Sequence, residues 1–443
     1  MNRYFNEKSN YDKYPVVNVP DMEEECRVGW RAISDRLEKD LSQIGKKVKV
    51  VVLECYQGVS DEEVVTALQS AFPASRWFFS ADAMKSPEQI DAILKQDITE
   101  DEIFGYMTRQ NMDCYFDGDK LPGICSEIAA VTEGIVFVYG VGAAYVQPSY
   151  DLLVYADMAR WEIQMRFRRN EVSNVGISNR EERASLQYKR AFFVDWRICD
   201  RFKKKLMKKW DYVLDTNTAG NPKMATAKAI EAGLEKASRT PFRVVPFFDP
   251  GPWGGQWMKE VCDLDREVPN FAWCFDCVPE ENSLYLGFGD VRFELPSIDL
   301  VFAYPARLLG NPVYGRFGDE FPIRFDFLDT MEGGNLSLQV HPLTQYIQEK
   351  FGMHYTQDES YYMLDAAEDA TVYLGVKEGI EPEEMIDALN EAQESGCFDA
   401  EKYVGRYPVK KHDHLLIPAG TIHCSGTNGM VLEISATPYI FTF

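Results

Sequence analysis

Apolar residues in the first half of the chain occur in short runs, and stretches with helical spacing separate these runs. The strand-like runs cover residues 47–58, 133–145, 150–158 and 210–217. The segment "DEEVVTALQSAF" and the basic segment at 195–210 have the spacing of helices. Strands that alternate with helices predict a parallel sheet with helices on both faces. We therefore expect a three-layer α/β domain over residues 46–240, after an N-terminal extension over residues 1–45.

The second half of the chain has a different pattern, with short apolar strands, dense turn residues and more aromatic side chains. The strand-like segments are "SLYLGFG", "VRFELP", "LSLQVHP", "SYYMLDA", "TVYLGV", "HLLIPAG" and "MVLEIS". Many short strands with turn signals between them predict an antiparallel barrel or sandwich. One helix interrupts the strands at 381–395, with Pro382 near its start and Gly396 just past its end. We expect an all-β domain with an inserted helix over residues 241–443.

The charge balance limits the classes of partner. The chain has 443 residues, a formal net charge of -23 and 45% hydrophobic residues. This length favours two or three domains. Nucleic acids and anionic membranes both require a positive surface, so the acidic balance argues against both as partners. An anionic small substrate would need a local basic pocket or a metal ion to offset the negative field.

Sequence features also bear on the cellular compartment. No apolar run reaches the ~18 residues that a membrane-spanning helix needs. The first segment, "MNRYFNEKSNYDKYP", lacks the apolar core of a signal peptide. The ten cysteines lie at irregular spacings, which suits a reducing compartment. We expect a cytoplasmic protein, and the sequence leaves its oligomeric state open.

The turn after the first strand of the α/β domain is the place where a phosphate-binding loop would be expected. Such a loop follows the pattern GxxxxGK[ST], because its backbone amides and its lysine hold the phosphates. The segment "ECYQGVSDEEV" has one glycine, no lysine and an acidic helix start. Carboxylates at this position would repel phosphate, so we expect no nucleotide cofactor.

A later segment of the α/β domain resembles a kinase family. The segment "EGIVFVYGVGAAYVQPSYDLLVYADMARWEIQMRFRRN" is similar to the uridine kinase and phosphoribulokinase pattern. In that pattern a Glu-Gly strand, a strand ending in Asp and an arginine-rich lid follow one another. The resemblance covers residues 46–220 and implies a P-loop kinase-like fold with a degenerate phosphate loop that no longer turns over nucleotide, with a working nucleotide site as the alternative. Arg166, Arg168 and Arg169 are then expected on a solvated helix face, with an anion site as the alternative.

The candidate metal ligands lie in the all-β domain. The chain has five histidines, and the first of them is His341, in "NLSLQVHP". Side chains alternate along a strand, so Gln339 and His341 are expected to point the same way. Glu359 begins the next apolar strand, and His423 follows a Pro-Ala-Gly turn. These four residues form a mixed nitrogen and oxygen set, which suits zinc or another divalent first-row metal. For His341 considered alone, the alternative is a core histidine whose hydrogen bonds are made within the protein.

Longer motifs in this region resemble a known family. They are "PFFDPGPWGGQWMKEV" (246–261), "FPIRFDFLDTMEGGNLSLQVHP" (321–342), "DESYYMLDAAEDATVYLGVKEG" (358–379) and "IPAGTIHCSGTNGMVLEIS" (417–435). Together they resemble class I mannose-6-phosphate isomerase, a zinc-dependent cupin family. The resemblance implies a jelly-roll cupin barrel and zinc bound by Gln339, His341, Glu359 and His423. It also implies interconversion of mannose 6-phosphate and fructose 6-phosphate through an enediol, hence a sugar phosphate as partner.

The sequence departs from the family at positions that bear on catalysis. The family usually has a basic residue just before the glutamate ligand, where this chain has Gln357 and Asp358. A family arginine near the reacting carbons falls at Ile440. Loss of these cations weakens stabilisation of the oxyanion, so we expect weak or absent turnover. The candidates for a replacement catalytic role are His354, Lys377 and Arg324. The chain stops after this strand, which leaves open a truncated chain or a shorter family member.

Two function classes follow. The first is a zinc-dependent sugar-phosphate isomerase of the mannose-6-phosphate type, weak or inactive in this chain. The second is a non-catalytic or regulatory metal-binding cupin joined to an inactive kinase-like domain, which binds a sugar or nucleotide without converting it. The same four ligands serve both classes. The missing basic residues favour the second class, whereas the family resemblance and the otherwise retained cupin motifs keep the first ahead.

Overall fold

The computed structural model describes residues 4, 8–436 and 441–443, and within them the chain divides into two compact units. One unit, called the α/β unit, comprises Pro15–Val244 and Pro279–Glu320. The other, called the β unit, comprises the described part of Met1–Tyr14 together with Val245–Val278 and Phe321–Phe443. No helix in the described ranges is both long enough and apolar enough to cross a membrane.

The strands of the described residues follow in chain order. They are β1 (Val16–Asn18), β2 (Cys26–Val28), β3 (Val48–Cys55), β4 (Arg76–Phe79), β5 (Gly134–Gly140), β6 (Leu152–Asp157), β7 (Tyr212–Asp215), β8 (Lys223–Thr226), β9 (Phe247–Asp249), β10 (Trp273–Cys277), β11 (Ser283–Phe288), β12 (Val291–Pro296), β13 (Arg324–Asp329), β14 (Glu359–Ala366), β15 (Thr371–Val376), β16 (Val404–Pro408), β17 (His414–Ile417), β18 (His423–Ser425) and β19 (Gly429–Ser435).

The α-helices of the same residues follow in chain order. They are α1 (Trp30–Gln43), α2 (Asp61–Ala71), α3 (Pro87–Ile98), α4 (Lys120–Ala129), α5 (Ala143–Val146), α6 (Arg160–Arg168), α7 (Ala184–Arg190), α8 (Trp196–Leu206), α9 (Ala227–Ala237), α10 (Trp257–Val261), α11 (Ile298–Ala303), α12 (Pro305–Leu309), α13 (Asn311–Phe317), α14 (Thr344–Phe351), α15 (Pro382–Ser395) and α16 (Ala400–Tyr403).

The α/β unit is built on a seven-stranded sheet in the order β2-β8-β7-β6-β3-β5-β4. The five strands from β7 to β4 in that order are parallel, and β8 and β2 join antiparallel. The apolar runs of the sequence form β3, β5, β6 and β7 at the centre of this sheet. Val51, Val52 and Leu53 of β3 are fully buried, as expected for a central parallel strand with both faces covered.

The division of the chain differs from the expected domains 1–45, 46–240 and 241–443. β1 pairs with β11 and β2 pairs with β8, so the segment preceding residue 46 contributes strands to the α/β unit. β11 and β12, expected in the all-β domain, form a three-stranded sheet with β1 in the α/β unit. The local pattern of a short strand does not specify its partner, because the pairing depends on residues far apart in the chain.

The β unit contains a six-stranded sheet in the order β17-β14-β19-β13-β10-β9 and a three-stranded sheet in the order β16-β15-β18. All pairs in both sheets are antiparallel. One core joins them, with Met363 and Val431 from the larger sheet and Val372 and Val404 from the smaller. The predicted helix forms α15, and Gly396 caps it with a φ of 70° that glycine adopts readily.

The predicted strand "LSLQVHP" is the main local error in the β unit. The structure has there an isolated bridge between Gln339 and His423 instead of a regular strand. The segment is nevertheless extended, because Val340 exchanges backbone hydrogen bonds with Phe443. The alternation of side chains therefore survives although the ladder is interrupted.

Candidate metal centre

Three of the sequence-predicted residues converge in the β unit. Ligand-type atoms of His341, Glu359 and His423 all lie within 4.8 Å of one another, and the three residues are buried. The Nε2 atom of His423 lies 2.6 Å from one carboxylate oxygen of Glu359, and the Nε2 atom of His341 lies 3.2 Å from the other. Two imidazoles and one carboxylate thus face a common point.

Separate elements carry these side chains to that point. Glu359 is the first residue of β14, and His423 is the first residue of β18. Gln339 exchanges both backbone hydrogen bonds with His423, at 2.9 Å each. Gly420 has a φ of 85° in the turn before His423, and its amide donates to the carbonyl of His341. This left-handed conformation explains the glycine of the IPAG motif.

Backbone carbonyls fix the orientation of both imidazoles. The Nδ1 atom of His423 lies 2.8 Å from the carbonyl oxygen of Thr421, and the Nδ1 atom of His341 lies 3.3 Å from that of Phe441. A carbonyl only accepts hydrogen bonds, so each Nδ1 carries the proton. Each Nε2 then faces the common point, which is the arrangement of metal-binding histidines.

Two buried atoms at this point, the Nε2 atom of His341 and the Oε1 atom of Glu359, make no hydrogen bond of regular geometry, although each lies within 3.2 Å of another atom of the cluster. Burial favours the neutral form of Glu359, but His341 and His423 hold the pKa of its carboxyl well below the usual range. A carboxylate beside two imidazole Nε2 atoms is a donor set that fits a divalent first-row cation.

Gln339 lies beside this set and is only partly buried. Its side-chain amide nitrogen is 3.2 Å from the Nε2 atom of His423. The two ends of an amide group are nearly indistinguishable, and rotation by half a turn exchanges them. In that orientation the amide oxygen faces the same point, so Gln339 is positioned to serve as a fourth ligand.

A row of polar side chains that the sequence analysis missed lies next to the ligands. Asp326 of β13 pairs with Glu433 of β19, which pairs with Tyr361 of β14. All three are buried, on the same faces of their strands as Arg324, Ser435 and Glu359. The signal was present in the alternation of these strands, where an acid occupies an inward position otherwise filled by apolar residues.

Burial dominates the electrostatics of these two acids. It raises the pKa of Asp326 well above its usual value, and the nearby carboxylate of Glu359 acts in the same direction. Burial likewise raises the pKa of Glu433, with Asp326 as the next cause. The side-chain amide of Gln357 donates to Glu359 at 2.9 Å and to Glu433 at 3.3 Å. Gln357 therefore links the ligand row to the acidic row.

The candidates for a catalytic role differ in their placement. His354 and Lys377 are exposed, and the amino group of Lys377 donates to the carbonyl of Glu401. Arg324 is buried in β13, where its guanidinium donates to the carbonyl oxygens of Phe321 and Ala436. Ile440 lies outside the described residues.

In the α/β unit, the expectation of a solvated arginine face is wrong for Arg166. This side chain is 3% exposed and donates to the carbonyl of Gly58 at 2.8 Å and to that of Thr216 at 2.7 Å. These carbonyls belong to the turns that follow β3 and β7, whose backbone acceptors need donors. Arg168 and Arg169 are exposed, as expected.

A closed ionic cluster lies at the same ends of the parallel strands. The amino group of Lys203 donates to both carboxylate oxygens of Asp157, at 2.7 and 2.8 Å, and to Asp299 at 2.9 Å. All three side chains are at most 1% exposed. Burial and the neighbouring Asp157 raise the pKa of Asp299 well above its usual value. The cluster satisfies its lysine within the protein.

Sequence comparison relates part of the chain to known proteins. Residues 29–239 match a family described as a domain of unknown function, DUF8485. The chain is 27% identical over 188 residues to the mannose-6-phosphate isomerase of Streptococcus mutans serotype c, covering 41% of this chain and 52% of that protein. It is 25% identical over 197 residues to the mannose-6-phosphate isomerase ManA of Bacillus subtilis, covering 42% and 55%. The chain thus spans about half the length of these curated relatives.

Solved structures give a similar but weaker relationship. The mannose 6-phosphate isomerase of Bacillus subtilis aligns with a TM-score of 0.36 and 22% identity, over 45% of this chain and 61% of that one. A zinc-bound mannose 6-phosphate isomerase aligns with a TM-score of 0.33 and 14% identity, over 44% and 67%. Over less than half of its length, therefore, the chain is similar in sequence to proteins named mannose-6-phosphate isomerase.

Proposed function

We propose that the β unit is a divalent-metal-dependent isomerase with a jelly-roll cupin barrel, which interconverts an aldose and a ketose. The observation that carries the proposal is the convergence of His341, Glu359 and His423, all buried, on one point. Zinc is the first choice of metal, because imidazole and carboxylate ligands in a set of four suit it. Gln339 is the fourth ligand in this proposal.

Different residues of the chain have different roles in the proposed reaction. The two histidines, Glu359 and Gln339 hold the metal, and the backbone carbonyls at Thr421 and Phe441 keep the imidazoles oriented. A bound divalent metal would supply a Lewis acid that polarises the sugar carbonyl. Transfer of a proton between two adjacent carbons also needs an acid or base within hydrogen-bond reach. Because His354 and Lys377 are exposed away from the ligands, neither supports such a role.

Mannose 6-phosphate and fructose 6-phosphate are the reactant pair that the names of the relatives suggest. This choice of reactants rests on sequence similarity over about half of each relative and is part of the proposal. Gln357 occupies the position where the family usually has a basic residue. We therefore expect turnover of mannose 6-phosphate to be weak even when the metal site is filled.

The test is a direct measurement of aldose–ketose conversion by the full chain. Mannose 6-phosphate and unphosphorylated mannose are each supplied with zinc, and a chelator-treated sample serves as the control. The proposal expects metal-dependent conversion of at least one sugar, with mannose 6-phosphate well below the ordinary rate of ~10 per second. Full zinc occupancy without conversion of either sugar would contradict an isomerase.

The second candidate function is a non-catalytic metal-binding unit that binds a sugar. The hydrogen bonds from Gln357 to Glu359 and Glu433 favour it, because they hold a neutral amide where a cation would assist the oxyanion. Sugar binding without conversion in the same assay is the outcome that separates this candidate from the isomerase.

For the α/β unit we propose a P-loop kinase-like fold that does not bind nucleotide. Support comes from the parallel strands and from Arg166, whose guanidinium is engaged by the carbonyls of Gly58 and Thr216. Calorimetry with Mg-ATP should show no binding in the micromolar range. Micromolar binding that is lost on mutation of the turn at 57–62 would contradict the proposal.

A cytoplasmic location also remains a proposal. Its support is chemical, since all ten cysteines are free thiols and most of them are buried. Free cysteines suit a reducing compartment.

A further inference from the structure

A short strand of the α/β unit has one edge without a partner strand. β1 lies at the end of the three-stranded sheet β1-β11-β12 and pairs with β11 in parallel. The register sets Val16 opposite Tyr285 and Asn18 opposite Gly287. The other edge of β1 has no neighbouring strand among the residues that the structure describes. An edge of this kind offers backbone groups for pairing with another chain.

The backbone groups on this outer edge belong to Val16 and Asn18. The amide of Val19 donates to the carbonyl of Gly287 at 2.8 Å, so the backbone groups of Val17 and Val19 point towards β11. Successive residues of an extended strand turn these groups to opposite edges, so those of Val16 and Asn18 point away from β11. In the described part of the chain, neither residue makes a backbone hydrogen bond on that side. Two N–H donors and two C=O acceptors therefore remain for another chain.

The outer edge of β1 forms one wall of a groove. Residues 15–18 line this wall, while Lys236 of α9 and residues 240–243, which follow α9, line the other. The groove has a volume of about 240 Å³. Pockets for compact organic ligands usually measure ~300–1,000 Å³, so the groove is small for such a ligand. An extended peptide needs room only for its backbone beside β1, because its side chains alternate above and below the sheet.

The opposite wall of the groove does not pair with β1. Pro241 has no amide hydrogen to donate, and the hydroxyl of Thr240 donates to the carbonyl of Lys236 at 3.0 Å. As far as the structure describes the chain, residues 240–242 exchange no backbone hydrogen bond with β1. The groove is therefore open to a strand from outside.

Charge restricts the sequence of such a strand. The described residues that line the groove include two cations, Lys236 and Arg243, and no acid. Glu235, the acidic neighbour of Lys236 on α9, pairs with Arg239 at 2.9 Å. The chain as a whole has a formal net charge of -23, so the groove is a local positive site on an acidic protein. Complementary charge favours an acidic peptide and disfavours a basic one.

We infer that the groove beside β1 binds an extended acidic segment of a partner protein, which adds a strand to the sheet β1-β11-β12. Val16 and Asn18 supply backbone hydrogen bonds, and Lys236 and Arg243 supply the complementary charge. In this mode of recognition the main-chain bonds give affinity and the side chains give specificity. The inference does not depend on the metal centre of the β unit or on its proposed function.

Fluorescence anisotropy with the full chain tests the inference, at an ionic strength of about 0.15 M that screens distant charges. The probe is a labelled heptapeptide of alternating glutamate and valine. One control peptide has lysine in place of glutamate. The other has proline in place of valine, which keeps the charge and removes backbone donors. The acidic peptide should bind saturably and about tenfold more tightly than either control, or better. Absence of saturable binding, or equal affinity for either control, would overturn the inference.

Two variants locate the binding in the groove. Val16→Pro removes an outward amide and no bond to β11, and edge strands tolerate proline at such a position. The affinity for the acidic peptide should fall about threefold or more. Lys236→Glu reverses a charge of the groove and should lower the affinity about fivefold or more. Lys228→Glu alters an exposed lysine of α9 outside the groove, so this matched control should leave the affinity unchanged.

Circular dichroism checks that each variant is folded. If Val16→Pro does not fold, the affinity of Lys236→Glu decides the matter alone. Unchanged affinity in the folded groove variants would overturn the inference. A concentration-dependent dimer of the native chain that either groove variant abolishes would also overturn it, because β1 would then pair with a second copy of the chain.

Discussion

Two groups of buried charged side chains, one in each unit, differ in how they are paired. In the α/β unit, Lys203 has hydrogen bonds to Asp157 and Asp299, and Arg166 has hydrogen bonds to two turn carbonyls. In the β unit, the Nε2 atom of His341 and the Oε1 atom of Glu359 are buried without a hydrogen bond of regular geometry. The first arrangement pairs its cations with protein acceptors and leaves one oxygen of Asp299 without a hydrogen bond, whereas the second brings together three side chains of the kind that hold a metal ion.

This difference indicates which unit carries the chemistry. Transfer of a charge from water to a protein interior is unfavourable unless a partner compensates it. At the carboxyl ends of parallel strands, where α/β proteins commonly bind ligands, the partners are internal. A side chain that is already engaged cannot bind a phosphate without losing those bonds. The comparison therefore favours structural roles for Lys203 and Arg166 and supports the ligand-binding role proposed for the histidine site.

The largest expected effect is a loss of stability when Lys203 is removed from its cluster with Asp157 and Asp299. Lys203→Met leaves Asp157 and Asp299 buried without their cation, so we expect a loss of about 3–5 kcal/mol in the free energy of unfolding. Denaturant unfolding followed by circular dichroism measures this loss. Lys204→Met is the matched control, because Lys204 pairs with Asp319 where both are about one-third exposed. Its loss should stay below ~1 kcal/mol. Equal losses of unfolding free energy in the two variants would contradict the structural role of the buried cluster.

An intermediate effect concerns a buried carboxyl of the α/β unit that has no cation. Glu54 accepts hydrogen bonds from the amides of Gly142 and Ala144, at 2.7 Å each. Burial raises its pKa to about 8, although these amides act in the opposite direction. Between its ordinary pKa of about 4.3 and about 8, the folded protein keeps a proton that the unfolded chain releases. Stability should therefore fall as the pH rises through this window.

Glu54→Gln isolates this contribution, because glutamine cannot release the proton. Relative to the variant, the native chain should lose up to about 1.4 kcal/mol of stability per pH unit within the window. Urea unfolding midpoints at pH 5 and pH 8 give the comparison. A constant difference between the two proteins across this range would show that Glu54 does not titrate as described.

The smallest expected effect concerns Lys377, an exposed candidate for a catalytic role. Lys377 lies in the turn after β15 and donates to the carbonyl of Glu401. Lys377→Ala should change the rate of sugar conversion by less than about twofold, since surface substitutions away from a site have small effects. Steady-state kinetics on both sugars checks this. A large fall in kcat would place Lys377 in the site and weaken the contrast between buried and exposed candidates.

Sequence reasoning identified residues that the structure brings together, because the relevant signals are local. The alternation of Gln339 and His341 and the IPAG turn before His423 both follow from short-range backbone geometry. Such patterns survive even where the regular strand around His341 does not form. The parallel sheet was predictable for the same reason, since its apolar runs are continuous in the sequence.

The errors concern long-range pairing. The row of Asp326, Glu433 and Tyr361 is assembled from three strands whose register no local pattern specifies. β11 was expected in the barrel, yet its partner is β1, which lies far away in the chain. Arg166 was expected in solvent because the carbonyls that its guanidinium contacts belong to turns at Gly58 and Thr216, which are distant from it in the sequence. Each of these features depends on a contact between distant segments.

The most direct test of the metal centre is the metal content of the purified full chain. Elemental analysis after dialysis against zinc should give about one zinc per chain for the native protein. His341→Ala should lower it to background, and His354→Ala, which alters an exposed histidine, should leave it unchanged. Full zinc occupancy in a folded His341→Ala variant would contradict the account.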